Sequence, residues 1–244
     1  MVTIRFYEEL NDFLPRDKRK TDIVVEPSEG ATTKKVIEDL GVPHTEVDLV
    51  LVNGDSVDFS HKLKSGDRIS VYPVFESFDV KKTSRVRSQP LRDLRFILDV
   101  HLGKLAGALR MLGFDTLYSN DYDDQQIVAT ALADKRIILT RDREMLKRRI
   151  VTHGYCVRSK EVEHQIAEVI KRFQLEESIN PFSRCLRCNL PLVHIEKKRI
   201  AKQLPSLVQK HYDEFWTCLR CSRIYWKGSH WQEMRSRIRR YLNS

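Results

Sequence analysis

The chain has 244 residues, enough for two or three small domains. A hydrophobic share of 41% supports buried cores, and a mean hydropathy of -0.45 suits a protein surrounded by water. No apolar run approaches the ~18 residues of a membrane span, so no membrane partner is expected, and the first residues lack the apolar stretch of a secretory signal. The net charge of +9 is unevenly spread: residues 1–80 hold 10 basic and 16 acidic side chains, net −6, and residues 81–244 hold 33 and 18, net +15. An acidic front on a basic body points to a polyanionic partner for the body. A solvated surface that keeps the protein soluble is the plainer account of the same charges.

In chain order, residues 2–7 and 22–27 alternate as half-buried strands do. Thr32 or Thr33 caps a helix running to about Leu40, and Gly41 ends it. Residues 47–52 form another strand, and Asn53-Gly54 is a hairpin turn. A last strand runs from about Arg68 to Val74, after a turn at Gly66-Asp67. Two strands, a helix and further strands predict a β-grasp domain over residues 1–80. Val52-Asn53-Gly54 and Gly66-Asp67-Arg68-Ile69 resemble the ubiquitin-like sulfur carriers of molybdopterin and thiamine synthesis. Those carriers need a free C-terminal Gly-Gly, whereas here Pro73-Val74-Phe75 continues into more chain. A docking, inhibitory or folding role is expected in place of sulfur transfer.

Residues 81–92 are basic and polar and predict a linker. From Arg95 the pattern changes to alternating strands and helices. Strands are predicted at 95–98, 114–118, 137–140 and 155–157. Helices are predicted around Leu102–Leu112 (stopped by Gly113), from Asp123 or Asp124, after Asp142, and over 160–174. The fold class is therefore α/β: a parallel sheet flanked by helices over residues 93–180. Cys156, on the fourth strand, reads as a buried apolar residue.

Residues 181–244 carry two knuckles, Cys185-Leu186-Arg187-Cys188 and Cys218-Leu219-Arg220-Cys221, separated by 29 residues. They account for four of the five cysteines. Two such clips supply the four soft ligands of a structural zinc ion, and free thiols fit a reducing, cytoplasmic setting. His194, His211 and His230 are spare donors that a four-thiolate site does not need. Trp216, Trp226 and Trp231 gather around the second clip. With nearby basic residues they are able to stack on single-stranded bases, or else to supply the scarce core of a small module. Arg235, Arg237, Arg239 and Arg240 belong to a basic C-terminal stretch that either grips phosphates or faces water.

In an open parallel sheet, ligands sit beyond the carboxyl ends of strands. Asp99 follows the first strand of the middle domain, Asp142 follows the third, and Asp124 opens the helix reached from the second. Carboxylate oxygens suit Mg²⁺ or Mn²⁺, ions that activate water and stabilise an in-line phosphoryl displacement. Each aspartate also has a capping explanation. Lys104, Arg110 and Arg141 are candidates to hold phosphate, with a solvated surface or an ion pair as the alternative.

Phe96-Ile97-Leu98-Asp99, Leu102-Gly103-Lys104-Leu105-Ala106, Leu109 through Thr116, Asp123-Asp124 and Leu139-Thr140-Arg141-Asp142 resemble the Mut-seven C-terminal RNase family, a PIN-like nuclease group. The second knuckle, with its Ser222-Arg223-Ile224-Tyr225-Trp226 and Gly228-Ser229-His230-Trp231, resembles that family's zinc module. The resemblance implies a metal-dependent ribonuclease with Asp99, Asp124 and Asp142 at the acidic positions. Glu144 matches a further acidic position, and Asp121 and Asp123 are reserves. Gln125-Gln126 stand where the family often has acids. The expected activity is hydrolysis of RNA phosphodiesters, with a basic zinc module assisting on single-stranded regions. The alternatives are a non-catalytic RNA-binding protein and an adaptor acting through its β-grasp domain.

Overall fold

The computed structural model describes residues 1–73, 85–86 and 94–242. The predicted linker at 81–92 falls outside the described residues except for Arg85 and Val86. The N-terminal strands are β1 (Val2–Phe6), β2 (Ile23–Val25), β3 (Val47–Val52), β4 (Asp55–Val57) and β5 (Arg68–Pro73), with helix α1 at Thr33–Asp39. They form a mixed five-stranded sheet in the order β2-β1-β5-β3-β4. β1 and β5 run parallel, and the other pairs are antiparallel. Alternation in β1 buries Val2, Ile4 and Phe6, and Ile37, Val50, Ile69 and Val71 of the same domain are buried as well. Thr32 caps α1 by accepting from the amide of Lys35. The expected ubiquitin-like domain is thus present.

The α/β portion follows as β6 (Arg95–Leu98), α2 (Gly103–Met111), β7 (Asp115–Leu117), α3 (Asp124–Asp134), β8 (Ile137–Thr140), α4 (Arg143–Lys147), β9 (Gly154–Cys156) and α5 (Val162–Phe173). β6 pairs in parallel with β7, and β8 in parallel with β9. Phe96, Ile97, Leu98 and all four residues of β8 are buried, as expected of strands covered on both faces. In α2 the predicted stripe of Leu105, Ala106 and Leu109 is fully buried. Gly113 ends the segment with φ of +98°, and a Cβ there would lie 2.2 Å from the carbonyl oxygen of Asn180. Only glycine fits that stop.

The C-terminal part contains β10 (Val193–Ile195), α6 (Lys197–Ile200), α7 (Ser206–His211), β11 (Phe215–Thr217), β12 (Ile224–Tyr225) and α8 (Ser229–Leu242). β10, β11 and β12 form an antiparallel three-stranded sheet. Phe215, Ile200 and Leu204 are its small core, with Trp226 and Ile224 packed against them.

Two compact units emerge. One joins residues 1–93 with 124–156, and the other joins 94–123 with 157–244. In the first, the β-grasp domain meets the β8–β9 segment through buried polar contacts. The amide of Cys156 donates to Glu46 Oε1 (2.6 Å), and His44 bridges the carbonyl of Val151 (2.8 Å) and the carboxylate of Glu38 (2.7 Å). Arg143 donates to the carbonyl of Phe13 and lies 4.9 Å over its ring. In the second, α2 packs on α5 and α5 on α8. Among the described residues no helix is long and apolar enough to cross a membrane.

Candidate metal centre and carboxylate positions

The two knuckles are one turn built twice. The amide of Asn189 donates to the carbonyl of Cys185, and that of Ser222 to the carbonyl of Cys218, both at 2.8 Å. Asn189 and Ser222 take the left-handed backbone, at φ of 63° and 55°. The result brings the sulfurs of Cys185, Cys188, Cys218 and Cys221 within 4.8 Å of one another. Cys185 Sγ and Cys221 Sγ are 3.7 Å apart. Zinc–sulfur bonds of about 2.3 Å in a tetrahedron set sulfurs about 3.8 Å apart, so both the donors and their spacing fit zinc.

The sulfurs do not ionise alike. Burial opposes the Cys185 thiolate, but hydrogen bonds from Tyr225 Oη and from the amides of Cys188 and Arg187 outweigh it and bring its pKa to about 6. Burial and the neighbouring sulfurs push Cys188 up to about 12. Tyr225 Oη lies 3.1 Å from Cys185 Sγ. Burial, then the bond to Cys185, raises the phenol well above its ordinary range, so Tyr225 stays protonated as a donor. It is an outer partner of the candidate metal ligands that the sequence did not single out.

The first knuckle is bolted to the segment joining α2 and β7. Arg110 is buried. Its Nε donates to the carbonyl of Thr116 (2.8 Å), and its Nη1 to those of Leu186 (3.0 Å) and Arg187 (3.3 Å). Burial pulls its pKa below the usual arginine range. Asn189 accepts from the amide of Thr116 (2.9 Å) and donates to Asp115 (2.7 Å). Arg184 donates to the carbonyls of Gly113 (3.0 Å) and Asn189 (2.7 Å). Among the expected phosphate ligands, Lys104 and Arg141 are exposed, whereas Arg110 serves these carbonyls.

All three tryptophans line one cleft of about 420 Å³, together with Phe182 and Tyr225. Phe182 holds a left-handed backbone, φ 62°, and its ring meets Trp231 at 5.3 Å. Lys227 lies 5.3 Å over Trp216, and Arg235 the same distance over Trp231. Trp226 therefore serves the small core and the cleft wall together.

Each carboxylate sits where the strand pattern puts it. Asp99, buried, directly follows β6, and its side chain accepts from the amide of His101 (2.7 Å). Asp142 follows β8 by one residue and caps α4, accepting from the amide of Glu144 (2.8 Å). Asp124 is the first residue of α3 and pairs with Arg148 at 2.7 Å. Asp124 and Asp142 lie in the first unit and Asp99 in the second. Of the reserves, Glu144 pairs with Lys147 (2.8 Å) and Asp121 lies against Ser119, while Asp123 is exposed just before α3. Capping and catalysis are compatible uses, because the amides that a cap satisfies lie where strands deliver their ligands.

No curated protein and no solved structure matches the chain. Two family models do. The Mut7-C ubiquitin model matches residues 1–79 and the Mut7-C RNAse domain model residues 94–238, the latter spanning β6, the three aspartates and both knuckles. The chain belongs to the Mut7-C RNAse domain family and carries that family's ubiquitin-like domain at its N-terminus.

Proposed function

We propose that the protein is a metal-dependent ribonuclease that hydrolyses RNA phosphodiester bonds in a reducing cytoplasm. The match of residues 94–238 to an RNAse domain carries this reading. Asp99, Asp124 and Asp142 offer the hard oxygen donors for Mg²⁺ or Mn²⁺, with Glu144, Asp123 and Asp121 as reserves. Such an ion supplies the Lewis acidity that lets water attack phosphorus at neutral pH. Asp99, buried and held by the His101 amide, is a preorganised donor. Asp124 must exchange Arg148 for its ligand, which the half-exposed position of that pair permits. Exposed Lys104 and Arg141 meet strand phosphates. The four cysteines hold a structural zinc ion, and the aromatic cleft beside it takes single-stranded bases.

The test is cleavage of a labelled single-stranded RNA by the purified chain. Hydrolysis should appear on addition of Mn²⁺ or Mg²⁺ and disappear in Asp124→Asn. A second reading, RNA binding without cleavage, draws on the Asp124–Arg148 pair and on Gln125-Gln126 in place of acids. It expects tight, salt-sensitive binding and no product in any divalent metal.

A further inference from the structure

We propose that Arg187 and Arg220, the third residues of the two knuckles, form a phosphate-binding subsite for the RNA strand, completed by the ring of Tyr122. The ribonuclease reading supplies the choice of ligand; the site itself rests on four observations. First, the knuckles share the sequence Cys-Leu-Arg-Cys, and the same turn made twice around one metal centre brings both arginines to a single place. Second, both line one open cavity of about 620 Å³, with Arg110, Tyr118, Tyr122 and Asn189. Third, both are exposed, and among the described residues neither guanidinium has a hydrogen bond or ion pair with another side chain. Every other arginine around the first knuckle is committed: Arg110 to three carbonyls, and Arg184 to two carbonyls and Asp115. Fourth, the cavity lies beyond β7. Leu117 ends that strand and Tyr118 and Tyr122 follow it, so the wall is the chain that leads into Asp123 and Asp124.

The chemistry narrows the ligand. Two planar forks lining a polar cavity match the oxygens of phosphodiesters. A phenol ring beside them offers a stacking face to an unpaired base, whereas a duplex would keep its bases out of reach. Tyr118 is fixed by a bond from its hydroxyl to the carbonyl of Val100 (3.0 Å) and by contact with Gly103. Among the described residues the Tyr122 hydroxyl makes no hydrogen bond, and its charge interaction is with Arg110 of the same cavity, which leaves its ring face for the ligand. Arg187 and Arg220 also neighbour the thiolates, and easing that negative charge is the competing account of their presence.

Binding of a labelled oligouridylate to the zinc-loaded full chain, without added Mg²⁺ or Mn²⁺, separates the two accounts. For Arg187→Ala/Arg220→Ala with zinc content and melting temperature retained, affinity at low salt should fall about tenfold or more. The slope of log K against log salt should become shallower by about 1.4, the value for two phosphate contacts on a single strand. Tyr122→Ala should weaken binding about tenfold with no change of slope, because stacking releases no counterions. Should the double variant release its zinc, the single variants Arg187→Gln and Arg220→Gln carry the test, each with about half the change in slope. Unaltered affinity and slope in zinc-loaded variants would overturn the subsite. Because nothing is cut in this assay, a failure of the ribonuclease reading shows separately: RNA bound through these arginines by a chain that never hydrolyses it.

Discussion

Arg110 shows how far one side chain is legible. Its position predicts a cation near β7, but a guanidinium aimed at phosphate and one buried against carbonyls have the same sequence. Only the approach of the first knuckle decides between them. The cysteines are the opposite case, because their spacing encodes the turn that assembles them. Tyr225 lies between: its place after the second knuckle was visible, its bond to Cys185 was not. Tyr225→Phe removes a donor to a buried sulfur. Zinc affinity should fall about 10-fold or more, measured by competition with a chromogenic chelator. Acidification should release the same ion, because protons compete for sulfur, and the release should begin at higher pH in Tyr225→Phe.

Among the elements, the strands and helices of the β-grasp and α/β portions match their expected positions to within a few residues. Period-2 alternation in β1 and the apolar stripe of α2 are local signals with one solution. The small elements after Cys188 carry no such signal. β10, β11 and β12 have two or three residues each; the second cysteine knuckle joins β11 to β12, and Phe215 packs beneath the sheet with Ile200 and Leu204. Turns repay closer reading. Asp67 accepts from the amide of Lys64 (2.7 Å) and the side chain of Asn53 (2.8 Å), joining the turns before β5 and after β3. The Lys64 bond, against the opposing effect of burial, holds its pKa below the usual carboxylate value. A depressed pKa stabilises the fold above the unfolded value of about 3.9, and that contribution is lost as pH falls from there through the lower folded-state value. Asp67→Ala should therefore cost about 1–3 kcal/mol near neutrality in urea unfolding, and the difference from the native chain should shrink below about pH 4. Gly113→Ala should destabilise by several kcal/mol, since the new methyl would meet the Asn180 carbonyl and sit at positive φ.

At the scale of the molecule, sequence order and spatial order part company. The sequence reads as a β-grasp domain, a linker, a nuclease domain and a zinc module. In space, residues 1–73 share a unit with α3 through β9, and the knuckles share one with β6 through β7. Nothing in a linear pattern announces that Glu46 will receive the amide of Cys156, 110 residues away. These contacts favour a folding role for the ubiquitin-like domain. Glu46→Ala should lower stability by about 1–3 kcal/mol in denaturant unfolding, as expected when a buried amide loses its hydrogen-bond partner. A chain lacking residues 1–80 should aggregate or melt early; a truncated chain of unchanged stability would favour the adaptor account.

The proposed function rests on the carboxylates. Asp99 and Asp142 each accept a backbone amide at the start of a helical turn, and asparagine caps such turns about as well as aspartate. Exchange for asparagine therefore removes charge while keeping the cap. The most direct measurement is Mn²⁺-dependent cleavage of labelled single-stranded RNA by Asp99→Asn and Asp142→Asn, beside their melting temperatures. The ribonuclease account predicts native melting and cleavage slowed by about 100-fold or more. Cleavage at the native rate in either stably folded variant would contradict it.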